Sequence, residues 1–132
     1  MKGFKGDIEG LTLGNEDFRR VLYTGKHSQL VLMSIRPNEE IGMEVHDEND
    51  QFFRFEEGQG KVVIDGNEYE VGDGDAVVVP SGAEHNVVNM SDSAPLRLYT
   101  IYSPPHHEEG VVRATKEEAE ASAPEFDGQT TE

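Results

Sequence analysis

The chain has 132 residues, 35% of them hydrophobic, with 27 Asp and Glu against 11 Lys and Arg; this is the length of one ordinary domain and leaves no room for a second core of similar size. The net charge of -16 denies most of the surface an electrostatic grip on phosphate backbones or anionic lipid, so nucleic acid and membrane are set aside as partners. Cysteine is absent, which excludes disulfides, thiolate metal sites and a cysteine nucleophile, and leaves His, carboxylate and amide groups to bind any metal.

The first ten residues include Lys2, Lys5, Asp7 and Glu9, so they hold no apolar signal segment, and no 18-residue apolar run follows them. The expected address is the cytoplasm. Short β-branched and aromatic runs separated by Gly, Pro, Asn and Asp predict strands at 19–24, 29–36, 42–46, 51–56, 61–64, 68–71, 76–79, 85–89 and 96–103. No segment shows a long helical apolar stripe, so the expected class is all-β, a sandwich or closed barrel of short strands. Asp65-Gly66-Asn67 predicts a tight hairpin, because these residue types accept positive φ. Thr115 with Glu118 three residues on forms a capping-box pattern, and Ala119 to Ala121 continue a short C-terminal helix. The segment 122–132 has Pro124, Gly128 and few apolar residues, and is expected to be a flexible acidic tail. The organisation is thus a barrel domain over 1–114, then helix and tail over 115–132. Acidity is not confined to the tail: 108–132 has eight acids against two bases, and the remaining 107 residues have 19 against 9. Two readings suit this distribution, the plain solubility of a charged surface and the hydration of a halophile's surface.

Two segments concentrate the chemistry, 42–58 and 74–89. Glu44 and His46 are two residues apart in a predicted strand, so their side chains leave the same face and can share one ion. The polar turn Asp47-Glu48-Asn49-Asp50 leads to Gln51, whose strand is expected to run back beside the first and aim its amide at the same point. His85 follows the Pro80-Ser81-Gly82 turn on a strand that ends at Asn89. If these strands line one barrel interior, Glu44, His46, Gln51 and His85 converge.

At these positions the sequence resembles the cupin superfamily. Gly74, Pro80, Gly82, His85 and Asn89 fit every fixed position of the second cupin motif, G-x5-P-x-G-x2-H-x3-N, and Gln51 stands six residues before Gly58 as at the end of the first motif. The likeness covers about 29–103. It is nearest to small single-domain cupins labelled mannose-6-phosphate isomerase-like. The chain departs from the pattern where Glu44-x-His46 replaces a His-x-His pair, where Gln51 replaces Glu, and where the leading glycine is Gly42 and position 38 is Asn. The resemblance implies an antiparallel jelly-roll β-barrel, one divalent transition ion (Fe, Mn, Ni or Zn) held by Glu44, His46, Gln51 and His85, and pairing into a homodimer through edge strands. Two imidazoles, one carboxylate and one neutral amide suit such an ion; a polar pocket that has lost its metal is the other reading.

Three functions follow as expectations. The first is a metalloenzyme acting on a small hydroxylated or carbonyl compound, in the manner of a sugar isomerase, with no catalytic base assigned. The second is a non-haem dioxygenase, and the third a non-catalytic cupin that binds or senses a small ligand. Phe53 and Phe55 are expected in the core on the face of Gln51, and Arg54 on the opposite face paired with an acid across a strand. His106 and His107, after Pro104-Pro105, read as surface residues, with a lid or a proton carrier as the alternative. Tyr99 and Tyr102 are expected to pack, with a hydroxyl near the ion as the alternative, and His27 is expected in a turn. Arg36, Arg54, Arg97 and Lys61 are the candidate phosphate partners near the motifs, too few in a negative field to favour phosphosugars over neutral compounds.

Overall fold

The computed structural model describes residues 1–132. A short helix α1 (Ile8–Leu13) precedes β1 (Arg19–Thr24), β2 (Gln29–Ile35), β3 (Glu44–Val45), β4 (Asp50–Glu57), β5 (Gln59–Ile64), β6 (Asn67–Gly72), β7 (Ala76–Val79), β8 (Glu84–Asn89), β9 (Leu96–Ser103), β10 (Val112–Arg113) and α2 (Lys116–Ala121). The strands form two antiparallel sheets, in the orders β10-β1-β2-β9-β4-β7 and β3-β8-β5-β6, which face each other as an antiparallel jelly-roll barrel. No helix is long and apolar enough to cross a membrane.

Turn chemistry sets the local joints. Asp65 and Gly66 take φ of 45° and 81° and join β5 to β6 with Ile64 opposite Asn67, the positive-φ two-residue loop that matches the strands' twist. Gly58 (φ 101°) carries the chain from one sheet to the other, and a Cβ there would lie 2.5 Å from the Pro95 carbonyl, so any larger residue must push the two sheets apart. Asn89 is a clamp: its amide donates to the carbonyls of Ile35, Arg36 and Ala94 at 2.9 to 3.1 Å while its oxygen accepts from Ser91 N at 2.9 Å.

Alternation along the strands grades the interior from apolar to polar. In β9, Leu96, Leu98, Thr100 and Tyr102 all turn inward, and in β4 Gln51, Phe53 and Phe55 do so. One end of the barrel is therefore filled by Phe55, Leu96 and Leu98, fully buried, and held by the hydrophobic effect. The other end presents Gln51, Thr100 and Tyr102 with His85 on the facing sheet.

The nine predicted strands are all present, with β3 shortened to Glu44–Val45. Two elements were not predicted. α1 is six residues long and includes Gly10 and Thr12, so no helical stripe can repeat; the Asp7 cap on Gly10 N and the buried Thr12 hold it. β10 has two residues, which pair with Arg19 and Arg20. α2 begins where the capping pattern places it, with Thr115 Oγ1 accepting from Glu118 N at 3.2 Å. One expected pairing is corrected: β4 does not run beside β3 but between β9 and β7, while β3 pairs with β8 in the other sheet. The four-residue link Val45 to Asp50 crosses between sheets instead of closing a hairpin. Arg54 also pairs along its own strand, with Glu56 at 2.9 Å, not across to a neighbour.

Past α2, the segment that its composition marks as flexible is hydrogen-bonded to the barrel. Phe126 N donates to His106 O, Glu108 N to Pro124 O and Thr131 N to Thr24 O. The Glu132 carboxylate accepts from Lys2 N, from Gly3 N at 2.8 Å and from Tyr23 Oη at 2.7 Å.

Candidate metal centre

Glu44 on β3 stands opposite His85 on β8 in the antiparallel register, so both side chains leave one face, and His46 follows two residues after Glu44 on that face. One ligand atom from each of Glu44, His46 and His85 lies within 4.8 Å of the others. His46 Nε2 meets the Glu44 carboxylate at 3.0 Å. Gly82 N donates to the His46 carbonyl at 2.9 Å, which ties the turn of the second motif to the first.

Two buried acceptors stand without a partner inside the barrel, one on each sheet. His85 Nδ1 is 3.0 Å from the Ala83 carbonyl; with the proton on that nitrogen, Nε2 presents its lone pair, and it is buried with no partner. Gln51, 2% exposed, donates through Nε2 to Thr100 Oγ1 at 3.0 Å, and its Oε1 is also buried without a partner. Leaving a buried acceptor unsatisfied costs about 1–3 kcal/mol. A site that keeps two of them, beside a carboxylate and a second imidazole, fits the donor set of a divalent ion.

A second ring of side chains surrounds the cluster. The His106 ring centroid lies 4.4 Å from that of His46, and the Tyr102 ring stacks on His106 at 5.3 Å. His107 is buried, with Nε2 3.2 Å from Tyr102 Oη. The buried amide of Gln29 holds this loop, accepting from the backbone N–H of His106 and His107 and donating to the His107 carbonyl. Asn49 donates to the carbonyls of Pro104 and Pro105 from the other side.

Electrostatics follow from this packing. Burial alone raises the Glu44 carboxyl, but its hydrogen bond to His46 and the charges of His46, Arg19 and His85 outweigh it, so Glu44 ionises below its ordinary range. Burial pushes the Tyr102 hydroxyl up, helped by the Glu44 charge. Burial also lowers His106, aided by His46, and lowers His107 to about 2. A cavity of about 260 Å³ is lined by Arg19, Glu44, His106 and His107, and also by Lys116 and Glu120 of α2 and by Glu125.

The structure thus brings Glu44, His46 and His85 together and sets Gln51 on the opposite sheet with its oxygen free inside the barrel. Tyr99 lies on the other face, beside Phe52, and His27 is exposed. The surface reading of His106 and His107 is corrected: the loop carrying them is pinned inward by Gln29 and Asn49, contacts that lie 78 and 55 residues apart in the chain and leave no local pattern. Arg19, which also lines the cavity, was missed; its parity with the buried Val21 on β1 was the available signal.

Residues 31–102 match the sequence profile described as a cupin domain. The chain is 43% identical over 127 residues to the uncharacterized protein YrkC of Bacillus subtilis (strain 168), covering 92% of this chain and 68% of that protein. It is 41% identical over 104 residues to the uncharacterized protein L612 of Acanthamoeba polyphaga mimivirus, covering 76% of this chain and 65% of that one. Among solved structures, BH2720 from Bacillus halodurans superimposes with a TM-score of 0.89 at 44% identity, over 92% of this chain and 96% of that one. With more than half its residues matching the profile, the chain belongs to the cupin family.

Proposed function

We propose that this cupin is a metalloenzyme that acts on a small hydroxylated or carbonyl compound, with one divalent transition ion held by Glu44, His46, His85 and Gln51. The observation that carries the reading is the pair of buried, unpartnered acceptors, Gln51 Oε1 and His85 Nε2, beside the Glu44–His46 contact. When bound, such an ion supplies Lewis acidity toward a carbonyl oxygen. The chain's own residues do the rest. His106, held neutral by burial at ordinary pH, borders both the His46 ring and the cavity and is the group placed to accept a proton. Tyr102 Oη and His107 Nε2 are hydrogen-bonded at 3.2 Å, and both rings pack against that of His106. The loop pinned by Gln29 and Asn49 holds the His106 ring against that of His46.

The two-imidazole, one-carboxylate set favours a second reading, an iron-dependent dioxygenase, because that ligand combination suits non-haem Fe(II). O2 consumption after loading with Fe(II), absent after loading with Zn(II), separates it from isomerase chemistry; a retained metabolite without turnover points to a binding protein instead. Pairing of two copies belongs to the same proposal: the edge strands β6 and β7 expose Tyr69 and Val78, and a mass near 14.6 kDa by light scattering would refute it. The deciding experiment for the metal is elemental analysis of protein purified without added metal, with His46→Ala and His85→Ala alongside. About one ion per chain is expected in the parent and a loss of most of it in each variant. Equal content in all three overturns the site.

A further inference from the structure

Alternation along β1 sends neighbouring arginines to opposite sides. Arg20 reaches solvent and meets Asp17 at 3.4 Å, whereas Arg19 turns into the barrel and is 7% exposed. Arginine is almost never fully buried without an acidic partner, because its charge loses the hydration that water supplies. Arg19 has none. It is in no ion pair, donates no hydrogen bond to any protein group, and its buried Nε is without a partner. The Phe18 ring, 5.5 Å from the guanidinium carbon, braces the planar group from one side, and the Glu44 carboxylate is near enough to feel its charge without a hydrogen bond between them.

Arg19 forms part of the wall of the 260 Å³ cavity, together with Glu44, His106 and His107. None of the acids nearby forms an ion pair with it. Glu44 is engaged by His46 at 3.0 Å and belongs to the candidate metal site, and Glu120 is paired with Lys116 at 3.8 Å. Lys116 is the only other cation of the wall, so one forked donor remains unspent, facing the cavity from a rigid strand.

We infer that Arg19 is the anion anchor of this cavity and takes the carboxylate of a small hydroxy or oxo acid, whose hydroxyl or carbonyl end then reaches the Glu44, His46 and His85 cluster. This narrows the proposed substrate to acids and rests on that reading of the site. A planar guanidinium matches a carboxylate with two parallel hydrogen bonds. A phosphate dianion is the poorer match, since a single free cation opposes it and Glu120 and Glu125 also line the cavity. The volume, below the roughly 300–1,000 Å³ of drug-sized sites, fits a compound of few atoms. The candidate phosphate partners near the motifs are engaged or outside: Arg54 with Glu56, Arg97 with Glu57, Lys61 with Glu68, and Arg36 exposed.

The test is calorimetric titration of the full chain with pyruvate, inorganic phosphate and glycerol, on protein loaded with Mn(II) and on protein stripped by chelator. Parent, Arg19→Gln and Arg19→Lys are compared, with Mn(II) content and melting temperature recorded for each. Pyruvate is expected to bind the parent at least tenfold more tightly than phosphate or glycerol. Arg19→Gln is expected to weaken it tenfold or more with Mn(II) content unchanged, and Arg19→Lys to recover only part, having charge without the fork. Pyruvate that fails to bind the parent, binds Arg19→Gln equally well, or binds no better than phosphate overturns the inference. So does an Arg19→Gln protein that loses Mn(II) and melting temperature with pyruvate affinity intact, which would make Arg19 a structural counter-charge to Glu44. If Arg19→Gln does not fold, Arg19→Lys decides, with undiminished affinity counting against the fork. Arg19-dependent pyruvate binding to stripped protein, in a chain that takes up no metal, would uphold the anchor while the metal reading fails.

Discussion

The amide of Gln51 spends its nitrogen on Thr100 and leaves its oxygen bare inside the barrel, so the hydroxyl of Thr100 orients the oxygen that the proposed metal site would use. Thr100→Val, which keeps the shape and removes the hydroxyl, is expected to weaken metal retention about tenfold, as loss of a ligand's supporting hydrogen bond does. Competition with a fluorescent chelator measures that change, and unaltered competition would refute the role given to Thr100. His107 carries a pH dependence. Its folded value is lowered to about 2 by burial, far under the unfolded value of about 6.5. The unfolded chain therefore binds the extra proton first as pH falls, so the contribution to stability is complete above pH 6.5 or so and declines below it, by up to about 1.4 kcal/mol per pH unit. Urea midpoints at pH 8 and pH 5 are expected to differ less in His107→Gln than in the parent; equal differences would show that His107 does not titrate this way. At this scale the meeting of Glu44, His46 and His85 was readable from spacing and motif. His106, His107 and Arg19 were not, because their burial comes from partners far along the chain.

Each strand was legible from alternation because a period of two is written locally, and each hairpin from residues that tolerate positive φ. Elements too short to repeat a pattern, α1 and β10, left no such mark. Two glycines separate the kinds of constraint a joint can impose. At Gly66 no atom lies within 4 Å of an added Cβ, so Gly66→Ala should cost only the left-handed backbone penalty, about 1–2 kcal/mol. At Gly58 the same change adds the collision with the Pro95 carbonyl, and its effect on the urea midpoint is expected to be at least twice as large. The Asn89 clamp joins the end of β8 to the turns after β2 and before β9 through three carbonyls. Asn89→Ala leaves those carbonyls without their donor and should cost about 2–4 kcal/mol at roughly 1 kcal/mol per bond. A loss under half a kcal/mol would show that water replaces the amide without penalty.

Over the whole molecule, the site is a product of two sheets and a tail. β3 and β8 bring Glu44, His46 and His85, the facing sheet brings Gln51 and Tyr102, and the loop bearing His106 and His107 is bonded to the segment after α2. Glu132 pins that segment's end, and hydrogen bonds from Lys2, Tyr23 and Gly3 hold its carboxyl below the usual range. A carboxyl lowered in the folded state stabilises docking fully above its free value, and this is lost as pH falls through the bound value. Hydrogen exchange at Gly3 and Thr131 is expected to quicken in acid in the parent, relative to a core amide, and to be fast at every pH in Glu132→Gln. By itself the sequence determined the strand class, the turns, the family and four polar side chains on inward positions, since all of these are encoded in spacings of a few residues. Only the tertiary structure decided that the Gln51 strand lies across the barrel from Glu44, that the two histidines after the proline pair turn inward, and that Arg19 ends unpaired against a cavity. Those outcomes depend on which distant backbone groups find each other when two sheets close, and no local period records that.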